Sequence, residues 1–291
     1  MLIVDDWLED FVELRMTSFE LRERFIEVGV PIVRVEDFAS RLAGVRTFLA
    51  VKKAEANSSV DKFSYANAAG ETITSSVELS LPAMLLKAEG REEALLWQDL
   101  PIPLPGLRSE TVVTLSTDLA EGMSAADALG LHYFIYHTDD SVEMSYLELG
   151  RMLSLQNGLP YLAPEPVVLG EEITLSAQQL AEVKRLMKEN SADMLLLLRA
   201  DKPLVPVWMA KRLYLSEHGW HDFSDAATLY VNQELGTSLK VFNADTAYLT
   251  DLSDFLVYYG RGRNEVDLRG LNRIRQLWEQ SARTVGTIIE V

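Results

Sequence analysis

Cysteine does not occur anywhere in this 291-residue sequence. Its absence excludes disulfide bridges, thiolate nucleophiles, cysteine-ligated iron–sulfur clusters and cysteine-based zinc sites. The metal ligands that remain are carboxylates and the four histidines of the chain. Nothing in the cysteine usage points to an oxidising compartment.

Long apolar runs are also missing. A helix needs about 20 predominantly apolar residues to span a bilayer, whereas the strongest run here, residues 194–198, is closed by Arg199. Residues 1–6 lack both the basic start and the apolar stretch of a secretion signal. We therefore expect a soluble, cytoplasmic protein with no membrane partner.

Basic residues are few and unevenly placed. Lysine and arginine number 27 against 44 acidic residues, which gives a formal net charge of −17. This charge disfavours general binding to nucleic acid, whose phosphates attract basic surfaces. Residues 1–25 contain seven acids, whereas residues 260–283 contain six arginines and no lysine. Any contact with nucleic acid is therefore expected through this C-terminal arginine cluster.

Motifs for nucleotide binding and nucleophilic catalysis are absent as well. The sequence contains neither of the glycine-rich loops, Gly-x-x-x-x-Gly-Lys-Ser/Thr and Gly-x-Gly-x-x-Gly, that cradle phosphates. It also lacks the Gly-x-Ser-x-Gly nucleophile elbow. We therefore expect no cofactor.

The patterns that are present predict an α+β fold. N-terminal helices precede an antiparallel β-rich half, in which short β-prone runs alternate with turn residues over residues 46–119. A mostly helical C-terminal half with a few strands follows. Ser176 and Gln179 have the spacing of a capping box. Helices are predicted around residues 7–14 and over 35–42, 177–189, 225–235, 251–259 and 268–282, and a buried strand is predicted over 194–199.

A domain boundary is predicted after the last helix of the β-rich half. Residues 157–166 combine a glycine helix stop with three prolines, which block regular structure. The chain is therefore divided into a β-rich domain with N-terminal helices, residues 1–159, and a mainly helical domain, residues 160–291.

Two clusters of histidine and aspartate, residues 132–140 and 217–225, are the candidates for acid/base or metal chemistry. In the first, His137 and Asp139 share one face at the end of a predicted strand. In the second, His218, His221 and Asp222 are close enough in sequence for their side chains to converge on a metal, although no established zinc spacing is matched. The catalytic candidates are His137, Asp139, His221 and Asp222. The alternative is that these side chains only cap helices and satisfy loops.

The C-terminal arginine cluster, within residues 261–275, is the candidate binding surface. Arg269 and Arg273 lie one turn apart on a predicted helix, after Arg261 and Arg263. Arginine favours planar, bidentate contacts with carboxylate or phosphate. The acidic N-terminal helix offers complementary charge, so copies of the chain could meet head to tail. The predicted interface residues are Arg261, Arg263, Arg269, Arg273, Trp278, Trp7 and Asp10. The alternative is an intramolecular surface that neutralises the acidity of the chain itself.

The functional expectation is a non-enzymatic structural or adaptor subunit of a larger protein assembly. Such a chain would bind partner proteins or form a homo-oligomer, and a component of a viral or phage particle fits this description. Two alternatives stay open at this point. One is a metal-assisted hydrolase that uses the histidine clusters, and the other is a protein that contacts phosphate or RNA through the arginine cluster.

Overall fold

The computed structural model describes residues 1–54, 62–101, 111–139, 141–162, 174–199, 205–242, 255–260, 265–282 and 286–290. The predicted α+β class is confirmed, since helices and small sheets both recur along the chain. The helices are α1 (Asp5–Leu8), α2 (Ser18–Glu27), α3 (Ala125–Leu129), α4 (Tyr146–Asn157), α5 (Ala177–Asn190), α6 (Val207–Leu215), α7 (Phe223–Leu235) and α8 (Glu265–Ala282). The strands are β1 (Leu2–Val4), β2 (Ile32–Asp37), β3 (Val45–Ala50), β4 (Lys52–Lys53), β5 (Phe63–Ala66), β6 (Thr72–Ser75), β7 (Ala83–Ala88), β8 (Thr114–Leu115), β9 (Phe134–Thr138), β10 (Met194–Arg199), β11 (Lys240–Phe242), β12 (Phe255–Gly260) and β13 (Gly286–Glu290).

The chain forms two compact units. Unit 1 contains Met1–Val35 and Tyr136–Val291, and unit 2 contains Glu36–Ile135. This division departs from the boundary that we predicted between residues 159 and 160. Residues on both sides of that boundary belong to unit 1, because the segment after α4 pairs with the N-terminal segment. Val12 forms a β-bridge with Tyr161, and the amide of Glu13 donates to the carbonyl of Pro160 at 3.0 Å.

Unit 1 contains a four-stranded antiparallel sheet in the order β11-β12-β10-β13. Its inner strand β10 is the predicted buried strand, and Leu196 pairs with Tyr258 on one side and Ile288 on the other. Helix α5 covers the face that carries Leu195 and Leu197. Side chains alternate along a strand, so Leu196 and Tyr258 point to the opposite face, where both are also fully buried. Burial on both faces explains the continuous apolar run of β10.

Helices α1, α4, α6 and α7 pack together in the rest of unit 1, and α7 also contacts α8. A three-stranded sheet has the order β1-β9-β2, and its strand β1 directly precedes α1 in the sequence. None of the helices in the described parts of the chain combines the length and the hydropathy that crossing a bilayer requires.

Unit 2 is built from short antiparallel strands around one core. The segment from β3 to β4 pairs first with β7 and then with β5, so it joins the sheet β3-β7-β8 to the sheet β4-β5-β6. Gly70 and Gly90 have positive φ in tight turns that follow β5 and β7, a conformation that glycine adopts without strain. Both sheets contribute to one hydrophobic cluster: Phe48, Ala50, Tyr65, Ile73, Ala83, Leu85, Ala94 and Val112.

Candidate functional site

The side chains of the first histidine cluster each contact another residue of the same unit. In unit 2, His132 Nε2 lies 2.9 Å from Asp127 Oδ1. In unit 1, His137 Nε2 lies 2.9 Å from Arg34 Nη2. The carboxylate of Asp139 accepts hydrogen bonds from the amide and the hydroxyl of Ser141, which closes a local turn. Asp140 lies outside the described residues.

The second cluster caps a helix and does not form a set of metal ligands. Asp222 is the N-cap of α7, and its Oδ1 accepts from the Asp225 amide at 3.0 Å and from the Ser224 hydroxyl at 2.6 Å. Burial lowers the pKa of His218, so its imidazole is neutral near pH 7. In the part of the chain that the structure describes, no group of three or more histidine and carboxylate side chains is placed to hold a metal ion. His218, His221 and Asp222 therefore do not form such a group.

Substitution of Asp222 tests its role as the N-cap of α7. We expect Asp222→Ala to lower the free energy of unfolding by about 1 kcal/mol and Asp222→Asn to retain most of the cap. Burial raises the pKa of Asp222, but hydrogen bonds from Ser224 and from the Asp225 amide bring it below its ordinary value of 3.8. The stabilisation that depends on the carboxylate charge is therefore present above about pH 4 and is lost as the pH falls through the folded-state pKa.

Urea unfolding of the three proteins between pH 7 and pH 2 measures this expectation. The difference between wild type and Asp222→Asn should shrink at the acid end of the range. Equal destabilisation by asparagine and alanine at pH 7 would contradict the capping role.

The predicted interface residues that the structure describes make contacts within unit 1. Arg273 donates two hydrogen bonds to the buried carboxylate of Glu234, each of 2.9 Å. Trp278 is fully buried and its ring packs edge-on against Phe223. Trp7 is fully buried as well. Arg269 lies exposed on α8, and Arg261 and Arg263 lie outside the described residues. The intramolecular alternative therefore accounts for Arg273, and neither tryptophan is available to a partner in this fold.

Asp10 also accepts hydrogen bonds within the chain, from an arginine that the sequence analysis did not single out. Arg212 of α6 donates to both carboxylate oxygens of Asp10, to the carboxylate and carbonyl of Asp6, and to the hydroxyl of Tyr230 at 2.9 Å. Its side chain is only 12% exposed. The feature that could have indicated a buried arginine is its position on α6. Arg212 lies three residues after Met209 and one before Leu213, both of which are buried. This network ties α1 to α6 and α7 and serves the fold.

A concave site lined by charged side chains lies in unit 2. It is a cavity of about 350 Å³, near the lower end of the size range for ligand pockets. Its lining contains an aromatic ring and charged side chains of both signs: Phe48, Arg46, Lys87, Glu71, Glu89 and Glu121. Five of the eleven lining residues are charged, so the cavity is suited to polar or charged groups rather than to an apolar ligand.

The two cations of the cavity are neighbours because of strand register. Arg46 of β3 lies directly opposite Lys87 of β7 in the antiparallel ladder, so their side chains occupy the same face. The ammonium of Lys87 lies 5.1 Å from the centroid of the Phe48 ring, and it donates to the carbonyl of Thr72 at 3.0 Å. A cation over an aromatic face is attracted to the ring. These contacts hold Lys87 beside Arg46.

Two of the carboxylates are neighbours because they share one buried amide. Asn67 is 4% exposed, and its Nδ2 donates to Glu121 at 2.8 Å and to Glu71 at 3.3 Å. The Asn67 Oδ1 accepts from the Glu71 amide at 2.8 Å. The segment that bears Glu121 is fixed to β3, since the amide of Gly122 donates to the carbonyl of Thr47 at 3.0 Å.

The cations and carboxylates of the cavity form no close ion pairs with one another in the described part of unit 2. Within unit 2 as the structure describes it, neither Arg46 nor Lys87 has a nitrogen within 4.0 Å of a carboxylate oxygen. Two cations and three carboxylates therefore line the same open space, with no ion pair between them in the described part of unit 2. No protein-family model and no curated protein sequence matches this chain, so the geometry of the cavity is what indicates its use.

Proposed function

We propose that this chain is a non-enzymatic adaptor subunit that holds a charged segment of a partner protein in the unit 2 cavity. One observation carries the proposal: charges of both signs line the cavity and have no ion-pair partners within the described part of unit 2. Most of these charges are exposed to solvent, where a single surface charge contributes little to stability. Because they are grouped at a concave site, they are placed to meet complementary charges of a ligand.

Binding to the cavity supports an adaptor better than an enzyme. The charged groups are anchored by a neutral amide, an aromatic ring and backbone carbonyls. The cavity is suited to recognition because its polar groups are held in place before a ligand arrives.

Charge reversal in the cavity tests the proposal. Arg46 lines the cavity and is exposed, so Arg46→Glu changes the charge there without replacing a core side chain. Lys52→Glu makes a charge reversal at an exposed position of unit 2 outside the cavity. We expect wild type and Lys52→Glu to bind a common subset of an array of random 12-residue peptides, and Arg46→Glu to lose that subset. Circular dichroism and thermal unfolding verify that both variants are folded.

Two results would overturn the proposal. One is the same binding pattern for all three proteins, because the cavity would then be irrelevant to recognition. The other is cleavage or modification of the bound peptides, detected by mass spectrometry, because the chain would then be an enzyme.

A further inference from the structure

We propose that Asn67 is a positioning residue for the unit 2 cavity, which fixes the carboxylate of Glu121 in the orientation that meets a partner segment. This inference rests on the proposed function and assigns a role within it to a residue that does not itself line the cavity. It follows from the different partners of the two polar atoms of the Asn67 side chain.

The oxygen of the Asn67 side chain stabilises the turn between β5 and β6. Asn67 Oδ1 accepts from the Glu71 amide at 2.8 Å, and the Asn67 amide donates to the Glu71 carbonyl at 3.0 Å. These two bonds join residues only four positions apart in the sequence. The turn therefore accounts for the acceptor atom of the side chain, but it does not need the donor atom.

The nitrogen of the Asn67 side chain contacts a residue 54 positions away in the sequence. Asn67 Nδ2 donates to Glu121 Oε1 at 2.8 Å, which is shorter than its 3.3 Å contact with Glu71 Oε2. Asn67 is only 4% exposed, and the two bonds of its Oδ1 and main chain fix its orientation. Glu121 is therefore held by a donor that does not itself move.

The main chain around Glu121 is fixed without Asn67. The hydroxyl of Thr47 donates to the carbonyl of Ala120 at 2.7 Å, and the amide of Gly122 donates to the carbonyl of Thr47 at 3.0 Å. These bonds attach the segment to β3 on both sides of Glu121. The bond from Asn67 therefore restricts the side chain of Glu121 rather than its main chain.

This restriction affects binding because Glu121 is exposed. An exposed glutamate samples several rotamers, and a ligand that orders such a side chain loses affinity to the entropy of ordering. A glutamate that is already held by a buried donor loses less freedom when a ligand arrives. We therefore expect the bond from Asn67 to raise the affinity of the cavity by about threefold to tenfold, the usual effect of ordering one side chain in advance.

A double-mutant cycle tests the inference. The probe is the array peptide that wild type binds most tightly, and calorimetric titration measures the effect of Asn67→Ala on its affinity in wild type and in Glu121→Ala. We expect Asn67→Ala to weaken binding by about threefold to tenfold in wild type. It should have no effect on binding in Glu121→Ala, which has no carboxylate to position. Stability should fall in both backgrounds, because the bond to the Glu71 amide is lost in both.

The control background is Glu92→Ala, which removes an exposed glutamate of unit 2 outside the cavity. There, Asn67→Ala should weaken binding by the same factor as in wild type. If Asn67 only holds the turn, Asn67→Ala weakens binding equally in the Glu121→Ala background, and that result would overturn the inference. Unchanged binding of Asn67→Ala would also overturn it.

A second variant, Asn67→Asp, keeps the oxygen that accepts from the Glu71 amide and removes the donor to Glu121. Three-bond NMR couplings about χ1 of Glu121 should be those of a single rotamer in wild type and should become averaged in Asn67→Asp. Averaged couplings in wild type would show that Asn67 does not order Glu121, whatever the peptide data.

The outcomes separate this inference from the proposed function. If wild type and Arg46→Glu bind the same peptides, the proposed function fails, and the role of Asn67 fails with it. If binding depends on the cavity but Asn67→Ala acts equally in wild type and in Glu121→Ala, the inference fails and the adaptor proposal stands.

Discussion

Substitution of Arg212 by alanine is expected to lower the free energy of unfolding of unit 1 by about 2–4 kcal/mol. The guanidinium is 12% exposed and bonds to Asp6, Asp10 and Tyr230. Its loss leaves two carboxylates without their counter-charge and a buried hydroxyl without its donor. Asp6 and Asp10 are each about two-fifths exposed, so water compensates part of the loss, and the expected effect lies below the upper limit for a fully buried pair.

Urea denaturation followed by tryptophan fluorescence measures this effect, because four of the five tryptophans lie in unit 1. Arg24→Ala is the matched control. Arg24 on α2 pairs with Glu27 at 2.7 Å, but both side chains are about half exposed, so its removal should cost less than about 1 kcal/mol. Equal stability of Arg212→Ala and Arg24→Ala would show that the Arg212 network does not hold α1 to α6 and α7.

The Arg212 network shows that part of the acidic charge at the N-terminus is paired within the chain. The acidic N-terminal segment does meet an arginine, but that arginine lies on α6 of the same chain. Arg273 in turn meets Glu234 on α7. Charge complementarity along a sequence indicates that two segments attract each other, but it does not distinguish contacts within a chain from contacts between chains.

The elements with strong local signals could be predicted from the sequence. The capping box of Ser176 and Gln179 is present at the start of α5, and the apolar run of residues 194–199 forms β10. Where pairing between strands distant in sequence decides the local structure, the predicted helices were wrong. Residues 255–259, predicted as helix, form β12 because they pair with β10 on one side and β11 on the other. Residues 35–37 extend a strand rather than begin a helix, and only Phe38–Leu42 forms a helical turn of the 3-10 type.

The candidate site could not be predicted because its residues are scattered along the sequence. Arg46 and Lys87 meet only through the register of β3 and β7, and Glu71 meets Glu121 only through Asn67. Each of these residues alone reads as an ordinary surface charge of an acidic chain. The face of β3 and β7 that supplies Phe48 and Leu85 to the core ends in Arg46 and Lys87. That alternation is visible in the sequence, but the cavity at its end is not.

Trp7 provides the second large effect and separates a core role from the interface role that the sequence suggested. Its ring is stacked between Tyr146, with centroids 4.3 Å apart, and Tyr230, with centroids 4.5 Å apart. The side chain is fully buried, so Trp7→Ala removes the centre of a three-ring stack that joins α1 to α4 and α7. We expect a loss of about 3–5 kcal/mol in the free energy of unfolding.

Urea denaturation and light scattering together decide between the two roles of Trp7. A core role requires Trp7→Ala to lower stability with no change in the molecular mass of the folded protein, and it requires Trp7→Phe, which keeps a ring in the stack, to cost clearly less. Trp208→Ala removes a tryptophan that is 40% exposed on α6 and should cost far less than Trp7→Ala, since much of its surface already lies in water. An interface role would produce the opposite pattern, in which Trp7→Ala preserves stability and reduces the mass, and that pattern would require Trp7 to leave the stack whenever copies associate.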